Sequence, residues 1–299
     1  MFVATNQRGG RDSMSSEKIL VTGATGQLGA RIVHQLLRKL PADHIVAGGR
    51  SATKAPQGVE FKVVDYDKPN SIEAALDGVT RVVLVSGNEI GKRVAQHRAV
   101  IDAAVRAGVR LLAYTSILRA KVNPLLLAIE HRGTEEALST SGLPFILLRN
   151  GWYSENYTAA ASLAIRSGVV QSASGDGLIS SASRDDYAEG AATLILRDDH
   201  KPGQAYELAG STSFTKREYA ALLSHKAGKK VVVQELTESQ YAAALAHAGL
   251  PDEFAAILAD SDAGSGDGWL FDDGRALEKA ISRSMTPLEQ TLDAALTAM

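Results

Sequence analysis

The chain has no cysteine among its 299 residues. Disulfides, thiolate nucleophiles and cysteine-held iron–sulfur clusters are therefore excluded, which suits a reducing compartment, and a cytoplasmic location is expected. An excess of one charge is also missing: 32 lysines and arginines face 34 aspartates and glutamates, a net charge of −2. That balance leaves no electrostatic footprint for nucleic acid or an anionic membrane as partner. No apolar run reaches the roughly 18 to 20 residues of a membrane-spanning helix. Aromatic residues are scarce at 5%, yet 45% of the chain is apolar, enough for a sizeable core. The opening stretch MFVATNQRGGRDS is polar and lacks a secretory core, so residues 1–17 read as a disordered extension, with Met14 a candidate start.

What is present concentrates in residues 18–40, KILVTGATGQLGARIVHQLLRKL. A short β-branched run, Ile19 to Thr22, leads into Gly23, Gly26 and Gly29, and a helical pattern follows with Leu28, Ile32, Leu36 and Leu37 on one face. Strand, glycines and helix in that order are the context a dinucleotide-binding turn requires. Gly23 serves the tight turn, Gly26 lets backbone approach a pyrophosphate, and Gly29 lets helix and strand pack closely. Free N–H groups at the helix start then face the anion.

From Lys18 to Asn150 this alternation continues. Strands are expected at Ile19–Thr22, Ile45–Ala47, Phe61–Val64, Val82–Val85, Leu111–Thr115 and Phe145–Leu148, and helices at Leu28–Leu40, Ser71–Leu76, Lys92–Ala107 and Leu125–Ser139. Ser71 is the expected N-cap of the second helix and Gly108 the residue closing the third. Near-continuous apolar strands imply burial on both faces, hence a Rossmann-type doubly wound parallel sheet over residues 18–150. Residues 151–299 are expected to form mainly a smaller C-terminal α/β substrate domain, with some segments free to return to the sheet. Helices are expected there at Ser154–Ser167, Arg184–Arg197, Lys216–Ala227, Glu238–Ala248, Pro251–Leu258 and Pro287–Ala298, and short strands at Ala205–Leu208 and Lys230–Leu236. The run SDAGSGDG, Ser261 to Gly268, reads as a surface loop or a lid.

An NAD-preferring site carries an acid at the end of the second strand. Here that strand ends in Gly48, Gly49 and Arg50, and the guanidinium of Arg50 suits the 2′-phosphate of NADPH instead. Asp65, ending the third strand, comes within reach of an adenine amino group or serves a turn. Ser86 and Gly87 end the fourth strand, where small residues admit the ribose. Asn150 ends the sixth, beside the expected nicotinamide or as a plain strand terminator. None of the eight tyrosines has a lysine four residues on. The tyrosine–lysine proton transfer of alcohol-oxidising short-chain dehydrogenases is therefore unavailable.

The stretches VTGATGQLG at 21–29, AQHRAVIDAAVRAGV at 95–109, AYTS at 113–116, EHRGTEEAL at 130–138 and LLRNGWYSENY at 147–157 resemble the NmrA-like atypical short-chain dehydrogenases, and within them the bacterial NADPH-dependent quinone reductase branch. YELAG at 206–210, LADSDAG at 258–264 and GWLFDDGRAL at 268–277 extend the resemblance over the second half. A neighbouring branch reduces triphenylmethane dyes. The resemblance implies NADPH as cofactor and a small-molecule quinone as substrate, reduced by two electrons through direct hydride transfer. It implies that Gly23, Ala24, Thr25, Gly26, Gln27, Leu28 and Arg50 hold the phosphates, and that Ser86 and Asn150 to Tyr153 lie beside the ribose, nicotinamide and substrate. GGRS at 48–51 departs from the pattern in being richer in glycine. A homodimer is permitted but not specified.

Trp152 and Tyr153 offer an aromatic surface for a flat acceptor, or are ordinary interface aromatics. Tyr153 and His131 are the candidates for donating a proton. His131 has Glu135 one turn on, which would raise its pKa; a solvated His–Glu pair without chemical role fits the same spacing. Two such ligands do not make a metal site. The rival function is a redox sensor that binds NADP(H) without turnover and signals to a protein partner, as some NmrA-like proteins do.

Overall fold

The computed structural model describes residues 17–297. Residues 1–16, which hold nearly all of the expected extension, lie outside that range. Glu17, assigned to the extension, belongs to the fold: its buried carboxylate accepts from Arg81 Nε at 3.1 Å and also pairs with Arg110.

Seven parallel strands form the main sheet. In chain order they are β1 (Ile19–Val21), β2 (Ile45–Gly49), β3 (Glu60–Val63), β4 (Arg81–Leu84), β5 (Leu111–Ile117) and β6 (Phe145–Asn150), with β8 (Gln204–Leu208) arriving later. Their spatial order is β3-β2-β1-β4-β5-β6-β8. The order reverses between β1 and β4, which opens a crevice at the carboxyl ends of the strands. Ala205–Leu208 from the second half pairs in register beside β6, Leu147 opposite Ala205 and Asn150 opposite Leu208.

Helices cover both faces. On one lie α2 (Pro69–Ala75), α3 (Arg93–Arg106) and α4 (Leu126–Thr140); on the other α1 (Gln27–Leu37), α7 (Arg184–Ile195) and α11 (Ala276–Ile281). Ile32 and Leu36 of α1 pack with Ala188, Ala191 and Ala192 of α7 in one core, while Leu20, Val82 and Leu112 point into the other with Val100 and Leu138. The alternation of strand side chains thus fills two cores at once.

A second lobe holds α5 (Ser154–Thr158), α6 (Ala161–Ser167), a parallel pair of β7 (Val169–Ser172) and β9 (Val232–Glu235), and α8 (Lys216–Ala227), α9 (Glu238–His247), α10 (Asp252–Gly266) and α12 (Leu288–Thr297). Its core gathers Tyr157, Ile179, Tyr219, Leu223, Leu270 and Leu292. Both α8 and α9 open with capping boxes, Thr215 with Glu218 and Thr237 with Gln240, which satisfy free amides at each start.

Three expectations need correction. Ser71 is not an N-cap: α2 begins at Pro69, whose fixed φ suits the first turn, and Ser71 instead accepts from Asp65 N–H at 3.0 Å. Ser154–Ser167 is two helices rather than one. The run from Ser261 is not a surface loop: through Gly266 it is the last part of α10, with Ser261, Asp262 and Ser265 buried. Ser261 and Ser265 return their hydroxyl protons to the carbonyls of Ile257 and Asp262, and Asp262 pairs with Lys216 at 2.5 Å. The small polar residues that mark a loop in isolation here satisfy themselves within a packed helix.

Candidate active site

The turn Thr22–Gly26 sets the base of the crevice. Gly23 has φ +60°, and its carbonyl accepts from Gly26 N–H at 2.9 Å. A Cβ on Gly29 would lie 2.2 Å from that same carbonyl, so only glycine lets α1 start this close to β1. The start of α1 has no side-chain cap and no acidic residue in its first turn, which leaves its amides and partial positive charge for a ligand.

A continuous cleft of about 1190 Å³ runs over the carboxyl ends of the strands. That exceeds the roughly 300–1,000 Å³ of a site for one drug-sized molecule. Its wall follows the strand order. Gly23, Thr25, Gly26, Gln27 and Leu28 line it after β1, Arg50 and Lys54 after β2, and Asp65 and Tyr66 after β3. Ser86 to Glu89 follow β4, Thr115 to Ile117 lie on β5, and Asn150 ends β6 with Gly151 to Tyr153 after it. His131 and Leu127 of α4 and Phe254, Ile257 and Leu258 of α10 close the far end. Ala24 is fully buried behind the turn, its N–H donating to Gly48 at 2.8 Å.

The basic end holds a residue that the sequence reading missed. Lys54 lines the cleft at the end of a 3-10 turn, Ala52–Lys54, whose start is capped by Ser51. Two cations four apart after a strand lacking its acid were the available signal. Arg50 is largely exposed and touches Glu89 at 3.3 Å. The extra glycine of GGRS has a local reason: a Cβ on Gly49 would sit 3.0 Å from the Thr25 side chain, so Gly49 gives room to the turn. Asp65 pairs with Lys68 at 3.0 Å, which pulls its carboxyl below the ordinary range.

Behind the wall lies a buried polar stack. Gly87 N–H donates to His97 Nε2 at 3.0 Å, and His97 Nδ1 meets Thr134 Oγ1 at 3.0 Å. Because Nε2 accepts, the imidazole proton is on Nδ1, and the Thr134 hydroxyl passes its own to Glu130 O. Burial, helped by nearby Arg93, pushes the His97 pKa down to about 3, so the ring stays neutral and positions Gly87. Tyr114 stacks edge-on against His97, with ring centres 5.3 Å apart, and its hydroxyl lies 2.8 Å from His131 Nδ1.

His131 differs from both expectations for it. It is buried rather than solvated, and Glu135 is not its partner. The Glu135 carboxylate is held by Arg149 at 2.7 and 2.9 Å and by the Ser116 hydroxyl at 2.6 Å. Burial, reinforced by Arg93, takes the His131 pKa well below its usual 6.5, opposite to the shift a carboxylate neighbour would impose.

Tyr153 and Trp152 both line the cleft. The Arg184 guanidinium sits 4.4 Å over the Tyr153 ring, and Tyr187 meets it edge-on at 5.3 Å. Burial raises the Tyr153 pKa, with nearby Arg184 and Asn150 opposing, so the phenol keeps its proton. Among the described residues Ser86 Oγ and Asn150 Oδ1 are buried without a hydrogen-bond partner, Arg93 Nη1 has Glu130 at 3.7 Å, beyond hydrogen-bond reach, and all three residues border the cleft. Unpartnered buried polar atoms are costly in a folded protein unless a ligand meets them. A glycine turn with free amides, two cations at the second strand and these waiting groups together fit a phosphorylated dinucleotide.

Comparison with known proteins agrees. A family model described as NAD(P)H-binding matches residues 23–198. Quinone oxidoreductase 2 of Escherichia coli (strain K12) is 47% identical over 278 residues, which span 92% of this chain and 97% of that one. The crystal structure of that NADPH-dependent enzyme complexed with NADPH superposes with a TM-score of 0.89, covering 93% and 99% of the two chains. Triphenylmethane reductase of Citrobacter sp. complexed with NADP(H) gives a TM-score of 0.86 at 35% identity, over 93% and 100%. Shared sequence and shared architecture extend across both lobes, and the chain belongs to the NAD(P)H-binding oxidoreductases of the NmrA-like family.

Proposed function

We propose that the protein reduces quinones, or similarly flat conjugated acceptors, with NADPH. The observation that carries this reading is the continuity of one large cleft from the glycine turn, past Asn150, into an apolar chamber roofed by the second lobe. Bound NADPH supplies a hydride, the two-electron equivalent that turns a quinone into its hydroquinone.

The chain's own residues do the rest. The α1 amides and Gly23 to Leu28 bind a pyrophosphate, while Arg50 and Lys54 favour a 2′-phosphate by charge. Ser86 and Asn150 orient the ribose and nicotinamide side through their unpartnered oxygens. Trp152, Leu127, Phe254 and Ile257 exclude water and offer a flat acceptor an apolar bed. Tyr153, protonated and braced by Arg184 and Tyr187, is a hydrogen-bond donor at that bed. A quinone is a strong hydride acceptor, so orientation over the cofactor supplies most of the acceleration without a tyrosine–lysine pair.

The test is NADPH oxidation by the purified protein, followed by absorbance with benzoquinone and naphthoquinone, and NADH run in parallel. Turnover with a preference for NADPH is expected. Tight NADPH binding with no turnover on any acceptor would overturn the proposal in favour of a dinucleotide sensor.

A further inference from the structure

The cleft contains a second polar group besides Tyr153 that the proposed reaction has not used. Tyr114 of β5 is fully buried, and burial pushes its pKa upward, so its hydroxyl carries a proton that needs an acceptor. The acceptor in hydrogen-bond geometry is His131 Nδ1 at 2.8 Å. Thr134, nearby, already spends its hydroxyl proton on Glu130 O and accepts from His97, and Ser86 Oγ, although close, lies outside hydrogen-bond geometry. Tyr114 therefore donates to Nδ1, and the remaining proton of a neutral imidazole must sit on Nε2. Tyr114 is the one hydrogen-bond partner His131 has among the described residues, and His131 borders the cleft together with Ser116, Ile117, Leu127 and Ile257.

Resting on the quinone reading, we infer that His131 is a substrate-orienting residue: its Nε2–H donates a hydrogen bond to a carbonyl oxygen of the acceptor, and Tyr114 fixes the tautomer that makes it a donor. The substrate class narrows accordingly to acceptors bearing a carbonyl oxygen beside the site of reduction. The charged and titratable groups around the imidazole are Arg93 and His97 of α3 and Tyr114 of β5. Glu130 is engaged by Arg93 and by backbone amides, and Glu135 by Arg149 of β6 and Ser116 of β5. None supplies an anion to charge the ring. His131 thus polarises the carbonyl as a neutral donor, a role neutral imidazoles fill in other enzymes. The hydride brings both electrons and one hydrogen to the quinone, leaving NADP+. The second hydrogen arrives as a proton from solvent, and His131 keeps its own. The hydrogen bond strengthens as negative charge grows on the oxygen, so it acts on turnover more than on binding.

Two measurements test this. Nitrogen-15 NMR of histidine-labelled protein, with the His131 signal assigned by its loss in His131→Gln, should show a neutral ring protonated at Nε2 between about pH 5.5 and 8. A ring that titrates near its ordinary value, or one protonated at Nδ1, overturns the inference without recourse to activity. In kinetics with naphthoquinone, His131→Leu should lower kcat by roughly 10²-fold. NADPH affinity, read by nucleotide fluorescence, should stay within about twofold, and His131→Gln, which keeps an N–H at a similar reach, should recover most of the rate. Tyr114→Phe should reduce kcat by about tenfold by releasing the tautomer. Undiminished turnover in His131→Leu overturns the inference while leaving the quinone reductase intact, whereas a wild type inert to every quinone fails at the earlier reading.

Discussion

Arg50 and Lys54 illustrate what a single residue contributes. Arg50 is exposed and, among the described residues, its ion-pair partner is Glu89 at 3.3 Å, so it adds little to stability as an ion pair and can turn to a phosphate. Arg50→Ala is expected to weaken NADPH by about 10- to 100-fold while leaving NADH nearly unchanged, read as the ratio of the two dissociation constants by fluorescence. Lys54→Ala should produce a smaller loss of the same kind, since an ammonium is a point charge rather than a fork. An unchanged ratio in both variants would remove the 2′-phosphate role. Arg50 could be proposed from the sequence because the expected acid is missing from its position. Lys54 could not, because its approach to the cleft depends on the 3-10 turn. His131 was legible as a candidate but with the wrong partner: helical spacing pairs it with Glu135, and spacing carries no information about Arg149 and Tyr114 on neighbouring strands.

The glycine turn and α1 act as one element. Gly29→Ala would bring a methyl within 2.2 Å of the Gly23 carbonyl, so the helix start must move away from the turn that aims its amides. The variant should lose about 1–3 kcal/mol in urea unfolding and most of its NADPH binding. Retained binding would show that the close approach is not what shapes the site. This element could be read from residues alone because every part is local: strand, turn glycines and helix period follow one another within 20 residues. The end of α10 could not. Serine, glycine and aspartate disfavour helix by propensity, and what holds them helical is remote: Lys216 on Asp262, and Ser172 and Ala173 donating to the same carboxylate at 2.8 Å each. Lys216→Met would leave that carboxylate buried without its counter-charge, at a cost of about 3–5 kcal/mol by urea unfolding. Replacing both residues with apolar ones should recover much of the loss, and an equal loss in the double variant would argue against the ion pair as the cause.

At the scale of the molecule, the buried imidazoles tie stability to pH. His97 is driven to about 3 in the fold and returns to about 6.5 when unfolded, and His131 shifts in the same direction. Below pH 6.5 the unfolded chain therefore binds protons that the folded chain refuses. The His97 contribution is complete above pH 6.5 and is lost as the pH falls from there toward 3, at about 1.4 kcal/mol per pH unit, and His131 adds to the loss in the same direction. Urea midpoints should fall between pH 7 and pH 4, and His131→Gln should flatten the slope. A pH-independent midpoint would mean that the rings are hydrated rather than sealed. The two lobes are also joined more closely than a boundary at Asn150 suggests: β8, α7 and α11, all beyond it in sequence, complete the main sheet and one of its cores.

The chain alone specifies the parallel α/β fold and the place of the glycine turn, and it offers a cationic strand end as the basis for the proposed NADPH preference. Those depend on period, glycine stereochemistry and the side chain at one strand end, all of them local properties. Long-range contacts placed the expected strand at Ala205–Leu208 seventh in the main sheet and made Ser261–Ser265 part of a packed helix. They also decided that His131 answers to Tyr114 rather than Glu135. The physical reason is common to all three. Each is settled by partners far along the chain, through hydrogen bonds and buried charge that no pattern of neighbouring residues encodes.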